Sequence, residues 1–118
     1  MHSAKAPIVR LQHILEHIDG ILRATDGLTP EDAVQSFLVI KAVERCAQVI
    51  SEAAKELPLE LRAQEPDVPW QDIIRIGNLL RHEYYRISDA AMLDILFVDL
   101  PKLRPAVMRL IEQHRQPS

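Results

Sequence analysis

The sequence predicts an all-α protein, an up-and-down bundle of four to five helices. Three observations lead there. Apolar residues recur at spacings of three and four along most of the chain, and no segment alternates with period two for long enough to be a strand. The 3 glycines, Gly20, Gly27 and Gly77, are too few for the tight turns of a β fold. Aromatic residues make up only 4%, so the core is built from Leu, Ile, Val and Ala, which suits helices.

The first helix is expected from Ile8 to Arg23, with Ile8, Leu11, Leu15, Ile18 and Leu22 forming a stripe that Ile14 and Ile21 widen. A loop at Thr25–Leu28 follows. Thr29-Pro30-Glu31-Asp32 is a helix start: a capping threonine, a proline in the first helical position, then two acids in the first turn. The second helix is expected to run unbroken to Leu57, where Pro58 stops it. Its apolar set is wide (Val34, Phe37, Leu38, Ile40, Val43, Ala47, Ile50, Ala54 and Leu57, flanked by Val39, Ala42 and Val49), which places it at the centre of a bundle or in a dimer. One short turn is expected within Leu59–Gln64, then a rigid connector at Glu65–Pro69. The third long helix starts at Pro69-Trp70-Gln71-Asp72 and runs to Tyr85 or Arg86. Ser88-Asp89 caps a last helical region reaching Gln113, in which Pro101 and Pro105 predict a kink or restart near Asp99–Pro101. The tail Arg115–Ser118 is expected to fray.

With 118 residues, 47% hydrophobic and 26% charged, residues 1–118 read as one globular domain. The net charge of −3 excludes a broad basic surface for nucleic acid, so any RNA contact is local. The single cysteine, Cys46, makes no internal disulfide or zinc site and reads as a buried small hydrophobe. Met1–Lys5 lacks the apolar stretch of a signal peptide, and no run is long enough to span a membrane. The expected location is cytoplasmic, with no membrane contact.

The densest polar cluster is Arg75–Arg86. At ~100° per residue a helix places Arg75, Asn78, His82 and Tyr85 along one stripe, with Arg81 one step around. One face then presents a cation, an amide, an imidazole and a phenol. Histidine exchanges protons near neutral pH, and arginine pairs its planar fork with phosphate. In RNA the 2′-hydroxyl supplies the nucleophile, so no metal or other cofactor is required. The plainer reading is a solvated face with local ion pairs, for example Arg81 or Arg86 with Glu83 or Asp89. Elsewhere, His13 and His17 have a spacing that can bind metal, without an obvious third ligand beyond Glu16. His2 and His114 lie near the ends. Ser51 and Ser88 have no neighbouring histidine, and Ser88 serves as a cap. Trp70 reads as a packing anchor.

Four stretches, in order, resemble one family. Ile50-Ser51-Glu52-Ala53-Ala54-Lys55-Glu56-Leu57 is similar to the I-x-E-A-A-K-x-L stretch of HepT-like HEPN proteins. Val68-Pro69-Trp70-Gln71-Asp72-Ile73 resembles their P-W-x-x-I helix start. Asn78…His82-Glu83-Tyr84 resembles the end of their Arg-x4-His-x-Tyr motif, in which Asn commonly follows the Arg. Asp99-Leu100-Pro101-Lys102-Leu103 resembles their L-P-x-L element. The likeness covers about Arg10 to Ile111.

The resemblance implies the toxin of a two-gene toxin–antitoxin module: a homodimeric, metal-independent ribonuclease whose paired motifs face each other. It implies as partner a minimal nucleotidyltransferase antitoxin, which silences the toxin by transferring AMP to the motif tyrosine. On this mapping His82 is the catalytic imidazole, Asn78 the polar residue beside the motif Arg, and Tyr84 the modified residue. The motif arginine itself falls on Gly77. Arg75 and Arg81 are the two candidate replacements. Arg75 shares the His82 face about 10 Å up the axis, and Arg81 is adjacent in sequence but turned by ~100°. Straight-helix geometry places Tyr85, not Tyr84, on the His82 face. Gly77 leaves a second reading, a catalytically inactive module that binds the nucleotidyltransferase, and a third, a bundle that only scaffolds other proteins.

Overall fold

A computed structural model describes residues 6–115. The readings of Met1–Lys5, His2 and the last residues of the tail fall outside that range. Among the described residues there is no strand. The helices are α1 (Pro7–Ala24), α2 (Pro30–Val34), α3 (Phe37–Lys55), α4 (Leu59–Arg62), α5 (Trp70–His82), α6 (Asp89–Asp94) and α7 (Leu100–Arg115). A 3₁₀ turn, Tyr84–Arg86, follows α5, and a π-helical turn, Ile95–Asp99, joins α6 to α7. The expected all-α bundle is therefore what forms.

Helix α1 begins on Pro7, whose missing N–H costs nothing in a first turn. Its fully enclosed residues are Leu11, Ile14, Ile18 and Ile21, while Ile8, Leu15 and Leu22 sit at the margin. The stripe is thus rotated slightly from the expected one. Thr25 closes the helix by donating its hydroxyl to the Ile21 carbonyl at 2.7 Å, and Gly27 turns the chain at φ 84°. Thr29 and Asp32 form a reciprocal capping box, the Asp32 N–H reaching Thr29 Oγ1 at 3.1 Å.

The second helix is not continuous, contrary to expectation. It stops after Val34, and Ser36 takes an extended backbone and accepts the Val39 N–H at 3.2 Å, which restarts the chain as α3. Serine competes well for this role, because its hydroxyl satisfies a first-turn donor that has no helical acceptor. The apolar periodicity runs across the break and hides it.

Helix α3 is central, packing on α1 to one side and α5 to the other through Ile40, Val43, Ala47, Ile50, Ser51, Ala53 and Ala54. Trp70 anchors the start of α5. Its ring is buried and its Nε1–H is shared between the carbonyls of Arg62 and Glu65, at 3.0 and 3.2 Å. Ser88 caps α6 through the Ala91 N–H at 3.1 Å. The expected disturbance before Pro101 is present but takes another form. The ladder widens into the π turn, with the Leu100 N–H bonded to the Ile95 carbonyl, and the chain continues as α7 without a restart. Helix α7 lies on α1, where Arg104 Nε meets Asp19 Oδ1 at 2.6 Å. Cys46 is half-buried against the core, and that burial pushes its thiol pKa up.

Helices α5 and α3 approach closely at Gly77. A Cβ at Gly77 would overlap Oγ and Cβ of Ser51. Ser51 is itself buried and donates its hydroxyl to the Ile74 carbonyl at 3.0 Å. Only glycine fits where one backbone lies against another side chain in this way. Gly77→Ala should therefore destabilise the fold by about 1–3 kcal/mol in urea unfolding, as overpacking does elsewhere. Adding Ser51→Gly to that variant should recover part of the loss.

Candidate functional site

Arg75 and His82 lie on the side of α5 away from its core-facing residues, while Arg81 flanks those residues on the side of α3. Trp70, Gly77 and Leu80 are its buried residues, whereas Arg75, Asn78, Arg81 and His82 are all exposed. Helix periodicity accounts for this, since Arg75 and His82 stand two and five positions from Gly77 and Leu80, whereas Arg81 stands four from Gly77 and so lies beside it. Of the expected stripe, Arg75, Asn78 and His82 are on α5 and Tyr85 lies beyond its end, and these residues do not act as one group.

Arg81 reaches toward α3. Its Nη1 donates to Glu52 Oε2 at 2.7 Å, and its Nη2 donates to Asn78 Oδ1 at 2.6 Å. Arg75 turns the other way, donating to Asp72 Oδ1 at 2.9 Å. It lines a cleft of about 660 Å³ between α5 and α7, whose floor includes Ala47 and Ile50 of α3. The two candidate arginines thus occupy opposite flanks of α5, and only Arg81 is bonded to another candidate residue. The local pairs expected for a solvated face are present only in part. Arg86 does pair with Glu83, at 3.0 Å, but Arg81 pairs across to another helix.

His82 is the last residue of α5. It is exposed, and among the described residues its imidazole makes no hydrogen bond or ion pair. The helix ends one turn earlier than expected. Glu83 leaves helical geometry, at φ −144° and ψ 46°, and the chain enters the 3₁₀ turn. The straight-helix argument that set Tyr85 on the His82 face therefore lapses.

Both tyrosines are exposed, Tyr84 by 60% and Tyr85 by 74%, with their rings edge-to-face at 6.1 Å. Lys41 Nζ lies 5.8 Å from the Tyr84 ring centre and 5.5 Å from that of Phe37. Phe37 and its neighbour Leu38 are themselves 73% and 79% exposed, and Lys41 bridges the Phe37 and Tyr84 rings. Elsewhere, His17 Nδ1 bonds the His13 carbonyl at 2.8 Å, and no group of three or more metal-ligating side chains gathers among the described residues.

Glu52 is the member of this site that residue spacing did not identify. It belongs to the Ile50–Leu57 stretch that carries the family resemblance, and no local spacing links it to residue 81. The Arg81 hydrogen bond, aided by the nearby charges of Lys55 and Arg10, holds the Glu52 carboxyl below the usual glutamate range. Its side chain is 55% exposed, so the pair adds at most ~1 kcal/mol to stability.

Comparison with known proteins places the chain. The family profile described as Ribonuclease HepT-like matches residues 14–110. A protein of Caldanaerobacter subterraneus subsp. tengcongensis named "Putative RNase" is 28% identical over 94% of this chain and 99% of its own length. One of Methanocaldococcus jannaschii, named "Gamma-glutamylcyclotransferase and putative RNase", is 30% identical over 89% of this chain but only 47% of its own length. The "Probable ribonuclease HepT" of Thermococcus cleftensis is 28% identical over 76% of this chain and 86% of its own. No solved structure matches. Among the described residues no helix is long and apolar enough to cross a membrane.

The ion pair gives a pH prediction. A carboxyl whose folded pKa is depressed stabilises the fold above the ordinary glutamate range, and that contribution is lost as pH falls through the folded value. A carbon-detected NMR titration should place the Glu52 midpoint below that of ordinary glutamates. Arg81→Ala should raise it again; the same midpoint in both proteins would mean that the pair does not form in solution.

Proposed function

The chain belongs to the HepT-like ribonuclease family, and from that premise we propose that it is a metal-independent endoribonuclease acting as a homodimer, the toxin of a toxin–antitoxin module. The observation that carries this reading is the array at the end of α5: an exposed His82 next in sequence to an Arg81 held between Asn78 and Glu52.

The chemistry needs three things. A base must take the proton of the 2′-hydroxyl as its oxygen attacks phosphorus, an acid must give a proton to the departing 5′-oxygen, and a cation must hold the phosphate as its charge grows. The products are a 2′,3′-cyclic phosphate and a 5′-hydroxyl. His82 serves as base or acid, and a second His82 across a twofold axis supplies the other role. What supports a second copy here is the exposure of Tyr84 and Tyr85 just beyond His82 and of Phe37, which Lys41 links to Tyr84. Arg81 is the phosphate-binding cation, because it already belongs to the array, whereas Arg75 is committed to Asp72 on the cleft side. Asn78 orients it.

The nucleotidyltransferase antitoxin would silence this site by transferring AMP to Tyr84. Tyr84 is exposed, stands two positions after His82 and sits in a turn beyond the end of α5, so a modifying enzyme could reach its hydroxyl. An adenylate there would add negative charge beside the phosphate-binding arginine.

One observation favours a second reading, in which the chain is an inactive module that binds the nucleotidyltransferase. The motif arginine position is Gly77, which is buried against Ser51 and cannot present a cation.

Purified protein should cleave single-stranded RNA in EDTA and leave cyclic phosphate ends. His82→Ala should slow cleavage by about 10²–10⁴-fold, and Arg81→Ala by about 10²–10³-fold, with Arg75→Ala costing far less. Cleavage by His82→Ala at the wild-type rate would refute the site. On induction in cells, wild type should arrest growth and a co-expressed nucleotidyltransferase should relieve the arrest. Growth unaffected in every case, with AMP still transferred to Tyr84, would establish the inactive module instead.

A further inference from the structure

We propose, resting on the ribonuclease reading above, that Glu52 is a positioning residue, fixing the Arg81 guanidinium so that its unused N–H edge faces the phosphate on which His82 acts. The geometry carries this. Glu52 stands on α3 and Arg81 on α5, and the two are joined at 2.7 Å although they lie far apart in sequence. Each terminal nitrogen of Arg81 has its own acceptor, Glu52 Oε2 for Nη1 and Asn78 Oδ1 for Nη2. A guanidinium has about five N–H donors, so two anchored nitrogens fix its plane and leave the rest for a ligand. The bond from Arg81 also settles the Asn78 amide, since its oxygen is used and its NH₂ remains a donor. Arg81 and Asn78 together present only N–H groups, which is what a phosphate recognises.

The anchor is rigid because of its neighbour. Ser51 precedes Glu52 and packs against Gly77, and Arg81 follows Gly77 by one helical turn. The contact that fixes the spacing of the two helices therefore also fixes the reach of this pair. Exposed as it is, the pair adds little to stability. Geometry is what it contributes.

Charge gives Glu52 a second consequence. Lys55 and Arg10 lie close enough to act on its carboxyl along with Arg81, and Arg10 also approaches Glu56 at 4.0 Å. Glu52 thus sits among three cations, and its charge limits how strongly they attract RNA. Positioning and affinity should therefore separate on mutation. Glutamine keeps an acceptor for Arg81 but removes the charge, whereas alanine removes both.

The test uses the full chain and a single-stranded RNA oligonucleotide. It also uses the 2′-deoxy oligonucleotide of the same sequence, which lacks the nucleophile. Values of kcat and KM for the RNA, Kd for the deoxy analogue and Tm are measured for wild type, Glu52→Gln and Glu52→Ala. Glu52→Ala should lose about 10–100-fold in kcat, the cost of a misplaced group, with KM and Kd no higher than wild type. Glu52→Gln should recover kcat to within about fivefold of wild type and bind the deoxy analogue more tightly, since an acceptor is retained and a repulsive charge is gone. Both should melt within ~3 °C of wild type. Wild-type kcat in Glu52→Ala, equal impairment of the two variants, or losses that track Tm would each overturn the proposal while leaving the ribonuclease reading intact. A wild-type protein that neither cleaves the RNA nor binds its analogue would overturn both.

Discussion

The rest of this structure depends on how closely α5 lies against α3 at Gly77. With no Cβ there, the backbone of α5 comes down onto the Ser51 side chain, and the Ser51 hydroxyl satisfies the Ile74 carbonyl in return. A larger residue would lift α5 outward. The neighbouring contacts would loosen together, because Leu80 and Trp70 are buried on the same side of the helix. Interiors packed at crystal density absorb such shifts poorly. The fold thus rests on a contact that contains no charge and little apolar area, yet sets the distance at which the charged groups above it can meet.

From that spacing the polar surface follows. The core of Leu, Ile, Val and Ala residues supplies the stability, and the exposed surface of α5 is free to carry groups that stabilise almost nothing. The exposed Glu52–Arg81 pair is of that kind. Its energy is small, but its two helices are held by the core, so the side chains need only choose rotamers. The early end of α5 at His82 belongs to the same economy of structure. Because Glu83 leaves the helix, the imidazole stands at a terminus and the tyrosines beyond it are displaced from the helical wheel.

Much of this was legible in the residues themselves. The capping threonine before Pro30, the serine before Asp89 and the tryptophan at the start of α5 all do what their local chemistry indicates. The break at Ser36 was not legible, because apolar spacing continues through it and one serine carries the whole signal. Nor was the end of α5, which a run of polar and aromatic residues leaves undefined. His82 and Asn78 were found by spacing on one helix. Glu52 was not, because the pairing that matters crosses between helices and no periodicity records it. Gly77 was visible only as an arginine out of place, and its packing role needed the third dimension.

Those two facts about Gly77 are connected. Its small size brings α3 close, and α3 is what offers Glu52 to the next turn of α5. On a helix, positions 77 and 81 differ by four residues, which is ~40° in direction and ~6 Å in height. Side chains on helices lean toward the N-terminus, so an arginine at 81 points back over the surface between 77 and His82. The bond from Arg81 to Asn78, one turn earlier, is that backward lean made visible. An arginine at 77 could not coexist with the Ser51 contact, whereas an arginine at 81 both coexists with it and gains an anchor from it. On the site mapping proposed above, the glycine at 77 thus corresponds to a cation moved one turn along the helix, to Arg81, rather than to a cation lost. Arg75 fits this account less well, since its side chain leans away from His82 and into its pair with Asp72.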